Sequence, residues 1–359
     1  CPCALVISVP LTFFGGIGGA SRRGILIKGA NHIDTLARLG TVVFDKTGTL
    51  TTGHFAVEAV HDPQEQPFNE SQLLHLAAHV EHYSTHPIGA ALREAFPAEA
   101  TDGCHVDNVE EIAGQGIRAR VGNATVWVGN TRLMDSIGAR WVACSHPGTI
   151  VHMATATVGS EQQAAYVGHI VISDQMKPDS PLTISRLKEL GICRTVMLTG
   201  DRSDVAAEVA QQLGMDEWHA ELLPEQKAQH VEQMLGQRHT AGRKELLAFV
   251  GDGINDAPVL ARADVGIAMG ALGSDAAIEA ADVVLMDGNP LRVATAVKIA
   301  RRTLSIARQN VAMAIGIKLA VLLLAAVGMA TMWMAVFADV GVTVLAVLNA
   351  MRALKSPNP

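Results

Sequence analysis

Short apolar runs that stop at acidic or glycine-rich loops recur along the chain. Thr41-Val42-Val43-Phe44 leads into Asp45, and Thr195-Val196-Met197-Leu198 leads into Thr199-Gly200-Asp201. Leu246-Leu247-Ala248-Phe249-Val250 leads into Gly251-Asp252-Gly253 in the same way. Runs without polar alternation read as strands buried on both faces. Residues 263–268 and 281–285 repeat the pattern, and residues 204–213 and 225–235 between the runs carry helical periodicity. Strand–helix alternation of this kind predicts a doubly wound α/β parallel sheet.

Residues 52–172 differ. Two helical stretches, 71–80 and 87–95, precede short strand patterns at 117–121, 125–128, 151–158 and 164–172. This predicts an α+β unit with antiparallel strands, inserted into a parallel-sheet domain made of residues 29–51 and 173–300. Three longer apolar stretches, 1–20, 304–328 and 331–351, frame the rest, and a bilayer span needs about 20 residues. Arg22, Arg23 and Lys28 follow the first stretch, Arg301, Arg302 and Arg308 open the second, and Arg352 and Lys355 follow the third. The basic flanks place all three ends in the cytoplasm, with a short outer loop near Gly328. A buried soluble hairpin is the alternative for the last two stretches.

Composition supports a membrane portion: 49% hydrophobic and 18% charged residues, with a mean hydropathy of +0.24. The formal net charge of −7 and the lack of a basic run exclude nucleic acid as a partner class. The five cysteines form no disulfide framework. The fourteen histidines are scattered and read mostly as surface or core residues without metal, and Ser145-His146-Pro147 reads as a loop. The chain opens on Cys1 inside an apolar segment with no basic region before it, so it reads as the C-terminal part of a longer protein rather than as a secretory signal.

The chemistry concentrates in Asp45-Lys46-Thr47-Gly48-Thr49-Leu50-Thr51. A carboxylate at a strand's C-terminal end is where an α/β sheet presents reactive groups. Asp45 is a candidate nucleophile for an aspartyl phosphate, and the N–H groups of Thr47 to Thr49 offer an anion cradle. Phosphoryl transfer also needs a metal and cations around the equatorial oxygens. Asp252 is placed to share Mg²⁺ with Asp45 and the backbone at Thr47, since a hard cation prefers oxygen ligands. Lys227, after Leu223-Pro224-Glu225-Gln226, and Thr199 are candidates to steady the phosphoryl group, and Asn255 and Asp256 complete the loop around Asp252.

Together, Asp45 to Thr51, Thr199-Gly200-Asp201 and Gly251 to Pro258 resemble the catalytic core of the P-type ATPases. The resemblance implies a haloacid-dehalogenase-like phosphorylation domain with an inserted nucleotide-binding domain and ATP as cofactor. Gly200 and Asp201 then join Thr199 in nucleotide binding. Simple phosphatases of this fold place a second Asp two positions after the nucleophile. Here that position is Thr47, so the aspartyl phosphate is expected to persist.

Glu81, His86 in Ser84-Thr85-His86-Pro87, and Gly114 and Gly116 resemble the nucleotide site of the heavy-metal class of this family. Cys1-Pro2-Cys3 resembles its transport signature, with two thiolates and freed backbone suiting a soft metal. Lys318 and Asp339 are intramembrane charges, which default to function. Asp339-Val340-Gly341 looks like the zinc, cadmium and lead group, with Cys1, Cys3 and Asp339 as ligands of the transported Zn²⁺, Cd²⁺ or Pb²⁺ and Lys318 as counter-charge. The expected location is multi-pass, in a plasma or inner membrane. The family's actuator loop, Thr-Gly-Glu, is absent, so an N-terminal part carrying it and further membrane helices is the expected partner. The alternatives are a membrane-tethered phosphohydrolase of the same fold, a copper-transporting P-type ATPase, and a non-catalytic metal-binding membrane protein.

Overall fold

The strand that ends at Asp45 is held between two parallel neighbours. The structure, a computed structural model, describes residues 3–61, 69–82, 87–97, 103–144, 146, 148–160, 163–240, 245–252, 256–270 and 275–355. Among them the strands are β1 (Ile25–Ile27), β2 (Leu39–Asp45), β3 (Thr51–His61), β4 (Val106–Ile112), β5 (Gly116–Val121), β6 (Ala124–Gly129), β7 (Thr149–Thr157), β8 (Ala165–Met176), β9 (Arg194–Leu198), β10 (Glu217–His219), β11 (Leu246–Gly251), β12 (Val265–Met269) and β13 (Val283–Leu285). The contacts divide them into one unit of residues 1–50 and 177–359 and a second of residues 51–176.

In the first unit, seven strands run in the order β1-β13-β12-β11-β2-β9-β10. β2 pairs in parallel with β11 and β9, with Phe44 opposite Val250 and Asp45 opposite Leu198. This register brings the C-terminal ends of three strands level, so the loops after Asp45, Leu198 and Gly251 open at one edge. Val43, Val196, Leu198, Leu247, Phe249 and Ala268 are all buried in the core beneath them. The helix Ser203–Leu213 ends on Gly214 at φ +67°, the left-handed stop that glycine adopts without strain.

The same unit carries the long apolar helices. Ala4–Ser21, Leu291–Ala326 and the segment Met332–Leu354 are each long and apolar enough to cross a membrane. The second helix starts well before the residue-304 boundary expected from hydropathy. Its first turns bury Val293, Val297 and Ile299, which extends a helix that apolar composition alone cannot delimit. Arg301 is therefore mid-helix, and its guanidinium donates to the carbonyls of Ala37, Leu39 and Leu190 in the sheet-bearing part of the unit. The third span is also not a plain helix. Met332–Val336 passes through a π-helical turn, Phe337–Gly341, into Val342–Ala350.

Small residues let these helices approach closely, as apolar surface alone does not drive association in lipid. A side chain on Gly19 would meet the Ala353 carbonyl at 2.9 Å. Asn310, fully buried, ties all three helices: its Nδ2 donates to Thr12 Oγ1 (3.3 Å) and to the Ala346 carbonyl (3.1 Å), and its Oδ1 accepts from Asn349 (2.9 Å).

The second unit is a six-stranded antiparallel sheet, β3-β8-β7-β6-β5-β4. The helices Glu70–Glu81 and Pro87–Ala95 pack on it over Leu73, Leu92, Val126, Val128 and Ile170. Asn69 and Gln72 form a reciprocal capping box that starts the first helix. β8 runs past residue 172 because Met176 pairs with Thr51, so the boundary falls after Met176. β3 and β4 were not expected as strands: β4 reads VDNVEEI and lies at the sheet edge, with its acidic residues exposed.

Candidate phosphoryl-transfer site

Four side chains named from the sequence converge at the level edge of the parallel sheet. Asp45 ends β2, Asp252 follows β11, Asp256 precedes the helical turn Ala257–Leu260, and Lys227 lies in the first turns of the helix Pro224–Thr240. Carboxylate oxygens of Asp45, Asp252 and Asp256 all lie within 4.8 Å of one another. Lys227 Nζ donates to Asp45 Oδ1 at 2.5 Å and approaches Asp256 Oδ1 at 3.4 Å. Burial, then the Asp256 carboxylate, pushes Asp45 up to about 7 despite the pull of Lys227. Burial and Asp256 likewise push Asp252 up to about 6. Burial works to lower Lys227, but Asp45 and Asp256 outweigh it and hold the ammonium above its ordinary value.

Three crowded carboxylates, among which Asp45 and Asp252 have raised proton affinity, are a donor set short of positive charge, which fits Mg²⁺ with its preference for oxygen ligands. The same raised values set a pH dependence. In the folded chain Asp45 and Asp252 hold protons to about 7 and about 6, above the ordinary 3.8 at which the unfolded chain releases them. Without divalent cation, Asp45 therefore removes stability as the pH rises from about 4 to about 7, and Asp252 as it rises from about 4 to about 6. Thermal melts across that range should show a steeper decline for the native chain than for Asp45→Asn. Parallel slopes would contradict the crowding.

The loop after Asp45 requires glycine. Gly48 sits at φ +71°, and a side chain there would collide with the Asp252 carboxylate. Its carbonyl accepts from Lys177 Nζ at 2.5 Å, and Lys177 also reaches the Gly288 carbonyl at 3.1 Å. Thr47 is exposed, whereas Thr49 is fully buried and its Oγ1 has no hydrogen-bond partner among the described residues. Such an orphan, in the loop that follows Asp45, suits binding of an oxyanion. Thr199, also buried, accepts from the Asp201 N–H at 3.1 Å, and Asp201 is ion-paired to Lys46. Gly200 and Asp201 thus belong to the parallel-sheet unit. Asn255 lies outside the described residues. The sequence assigns no role to Lys177 or Lys46 and gives Thr49 only its backbone N–H in the anion cradle: Lys46 and Thr49 lie inside the heptapeptide, but Lys177 has no motif around it.

In the inserted unit, Glu81, Gly114 and Gly116 line one cleft of about 480 Å³, together with Gln115 and Asn130. Gly114 and Gly116 have φ of +70° and +147°, and a Cβ on Gly116 would strike the Val128 carbonyl. Gln115 Oε1 is buried there without a partner among the described residues, an acceptor open to a donating ligand. Neither Gln115 nor Asn130 was singled out in the sequence. His86 lies outside the described residues.

Between the second and third spans, Lys318 Nζ lies 3.4 Å from Asp339 Oδ1. Asp339 occupies the π-helical turn, a feature enriched at functional sites. Cys1 lies outside the described residues. Cys3 begins the first helix, with its side chain undescribed.

A family description, haloacid dehalogenase-like hydrolase, matches residues 39–264. The chain is 53% identical over 355 residues to a zinc-transporting ATPase of Synechocystis sp., covering 99% of this chain and 47% of that one. It is 48% identical to a cadmium, zinc and cobalt-transporting ATPase of Bacillus subtilis, covering 100% of this chain and 49% of that one. It superposes on the crystal structure of a zinc-transporting PIB-type ATPase in the E2.Pi state with a TM-score of 0.84 and 36% identity, covering 99% of this chain and 56% of that one. The chain thus spans about half the length of the relatives it matches.

Proposed function

We propose, on the premise that the chain belongs to the haloacid dehalogenase-like hydrolase family and to its P-type ATPase branch, that it carries the phosphorylation and nucleotide-binding core of an ATP-driven exporter of Zn²⁺, Cd²⁺ or Pb²⁺. The observation that supports this most is the convergence of Asp45, Asp252, Asp256 and Lys227 at one strand edge. Asp45 attacks the γ-phosphorus of ATP: the bond from its oxygen to phosphorus forms, the bond to the β–γ bridging oxygen breaks, and ADP departs. Lys227, the Thr199 hydroxyl and the N–H groups of Thr47 to Thr49 bind the equatorial oxygens. Lys177 holds the loop through the Gly48 carbonyl. Asp45, Asp252 and the backbone at Thr47 would hold Mg²⁺, which would supply neutralisation of the phosphoryl oxygens' charge. The cleft of Glu81, Gly114 and Gly116, with His86, receives the nucleotide. Thr47 offers no carboxylate to activate water, so the phosphoenzyme lasts long enough to be coupled to a change of shape.

Export belongs to a protein of the relatives' full length, with an actuator domain and further membrane helices in a multi-pass arrangement. Cys1, Cys3 and Asp339 bind the ion, two thiolates and a carboxylate making a borderline-soft site. Lys318 takes Asp339 when the ion leaves. The unbroken helix Leu291–Ala326, anchored by Arg301 beneath the sheet, gives the phosphorylation site a rigid path to Lys318.

In the full-length protein, Asp339→Ala should abolish zinc-stimulated ATP turnover while leaving nucleotide binding intact. Stimulation by Cu⁺ but not by Zn²⁺ would overturn the metal assignment, and release of phosphate from small phosphomonoesters without any metal dependence would favour the phosphohydrolase alternative.

A further inference from the structure

A second concentration of soft-metal chemistry lies in the inserted unit. The strand register pairs His61 on β3 with His169 on β8, and His169 with His152 on β7. Residues directly opposite on antiparallel strands share a face. The rings therefore form a ladder, with centroids 4.9 Å apart for His61 and His169 and 5.7 Å apart for His152 and His169. The loop before β7 adds two more donors at the open end. The His146 ring lies 4.7 Å from that of His61, and Cys144 Sγ lies 3.9 Å from His146 Nδ1.

The polar atoms there are incompletely satisfied. Nε2 of His61 and Nε2 of His169 are both buried without a hydrogen-bond partner among the described residues. Buried ring nitrogens are ordinarily paired, and an orphan calls for an absent ligand or ion. Tyr166 explains the other edge of the ladder: its hydroxyl lies 2.9 Å from His169 Nδ1 and 3.0 Å from His152 Nδ1. A hydroxyl has one proton, so one consistent order has His169 Nδ1–H donating to Tyr166 and Tyr166 donating to His152 Nδ1. That order leaves His169 Nε2 as a bare lone pair, the form an imidazole takes as a metal ligand.

We infer that His61, Cys144 and His146, backed by His169, form a binding site for a Zn²⁺-class divalent ion in the inserted domain, separate from the membrane ion site. One ligand atom from each of the first three residues lies within 4.8 Å of the other two. Tetrahedral zinc with bonds of about 2.0–2.3 Å sets its donors roughly 3.5 Å apart. Rotation of the exposed His146 side chain closes the remaining gap. One thiolate with imidazoles selects Zn²⁺, Cd²⁺ or Co²⁺ over Mg²⁺. The fourth position falls to His169 Nε2 or water. The neighbouring group His75, His79 and Cys104 also clusters within 4.8 Å, but none of its atoms is among the buried orphans. The same loop leads directly into Thr149, Ile150 and Val151, which line the cleft shared with Glu81 and Gly116, so an ion here fixes a wall of that cleft.

The test uses the full chain in detergent with Cys1, Cys3, Cys104 and Cys193 replaced by serine, which leaves Cys144 as the sole thiol and dismantles the rival cluster. Titration with Co²⁺ should give a saturable thiolate-to-cobalt charge-transfer band, intense tetrahedral ligand-field bands, and displacement of both by Zn²⁺. Adding His146→Ala or His61→Ala should weaken Co²⁺ binding by about tenfold or more, and Cys144→Ser should abolish the charge-transfer band. No band in a chain shown to be folded by circular dichroism would overturn the inference, as would a band whose midpoint neither histidine variant moves. Two separate histidine variants keep the test decisive if one fails to fold.

Discussion

Replacing Asp45 with asparagine should abolish acid-stable labelling of the chain by ATP. The substitution keeps the shape of the side chain at the end of β2 but removes the nucleophilic oxygen on which the phosphoryl group is carried. Loss of labelling through misfolding is not expected. Asp45 is buried within 4.8 Å of Asp252 and Asp256, and its proton affinity is raised by burial first and by the Asp256 carboxylate second. A neutral amide relieves one of three repelling charges while leaving Lys227 its contact with Asp256. The variant should melt at or above the native temperature at pH 7 in the absence of divalent cation, so that a loss of label is a loss of chemistry. Labelling that persists in Asp45→Asn would place the phosphate elsewhere.

The second large effect is expected at Lys227. Its ammonium is mostly buried and sits 2.5 Å from Asp45 Oδ1. Placed there, it meets the phosphoryl oxygens as charge develops on them. Removing one such preorganised donor costs roughly 10²–10³ in rate, or about 2.7–4 kcal/mol. Lys227→Ala should slow single-turnover labelling by about that factor. It should also shift the pH profile upward, because the pull of Lys227 is what opposes burial and Asp256 at Asp45. A purely structural lysine would lower stability without moving the profile. A native labelling rate in Lys227→Ala would remove it from the site.

How much of this was legible depended on whether the information was local. The runs ending at Asp45, Leu198 and Val250 announced buried parallel strands because both faces are covered, and the structure pairs those strands side by side. Asp45, Asp252 and Lys227 were legible because each sits in a compact, unusual string. Lys177 was not: its role comes from reaching Gly48, 129 positions away in sequence. β4 was missed because an edge strand facing water needs no apolar alternation. Hydropathy located the second span but not the helix around it, since the buried turns before residue 304 pack on protein rather than lipid. The π-helical turn at Asp339 leaves no trace in composition. The histidine ladder was invisible for a related reason: residues 61, 152 and 169 become neighbours only through strand register.

The central claim is that Asp45 carries a phosphoryl group that lasts. A pulse of radiolabelled ATP with Mg²⁺, a chase with unlabelled ATP, acid quenching at intervals and mapping of the labelled peptide test it most directly. The expected result is label on the peptide containing Asp45, stable in acid, released by hydroxylamine, and still present well into the chase. Free phosphate accumulating with no covalently labelled intermediate would contradict it.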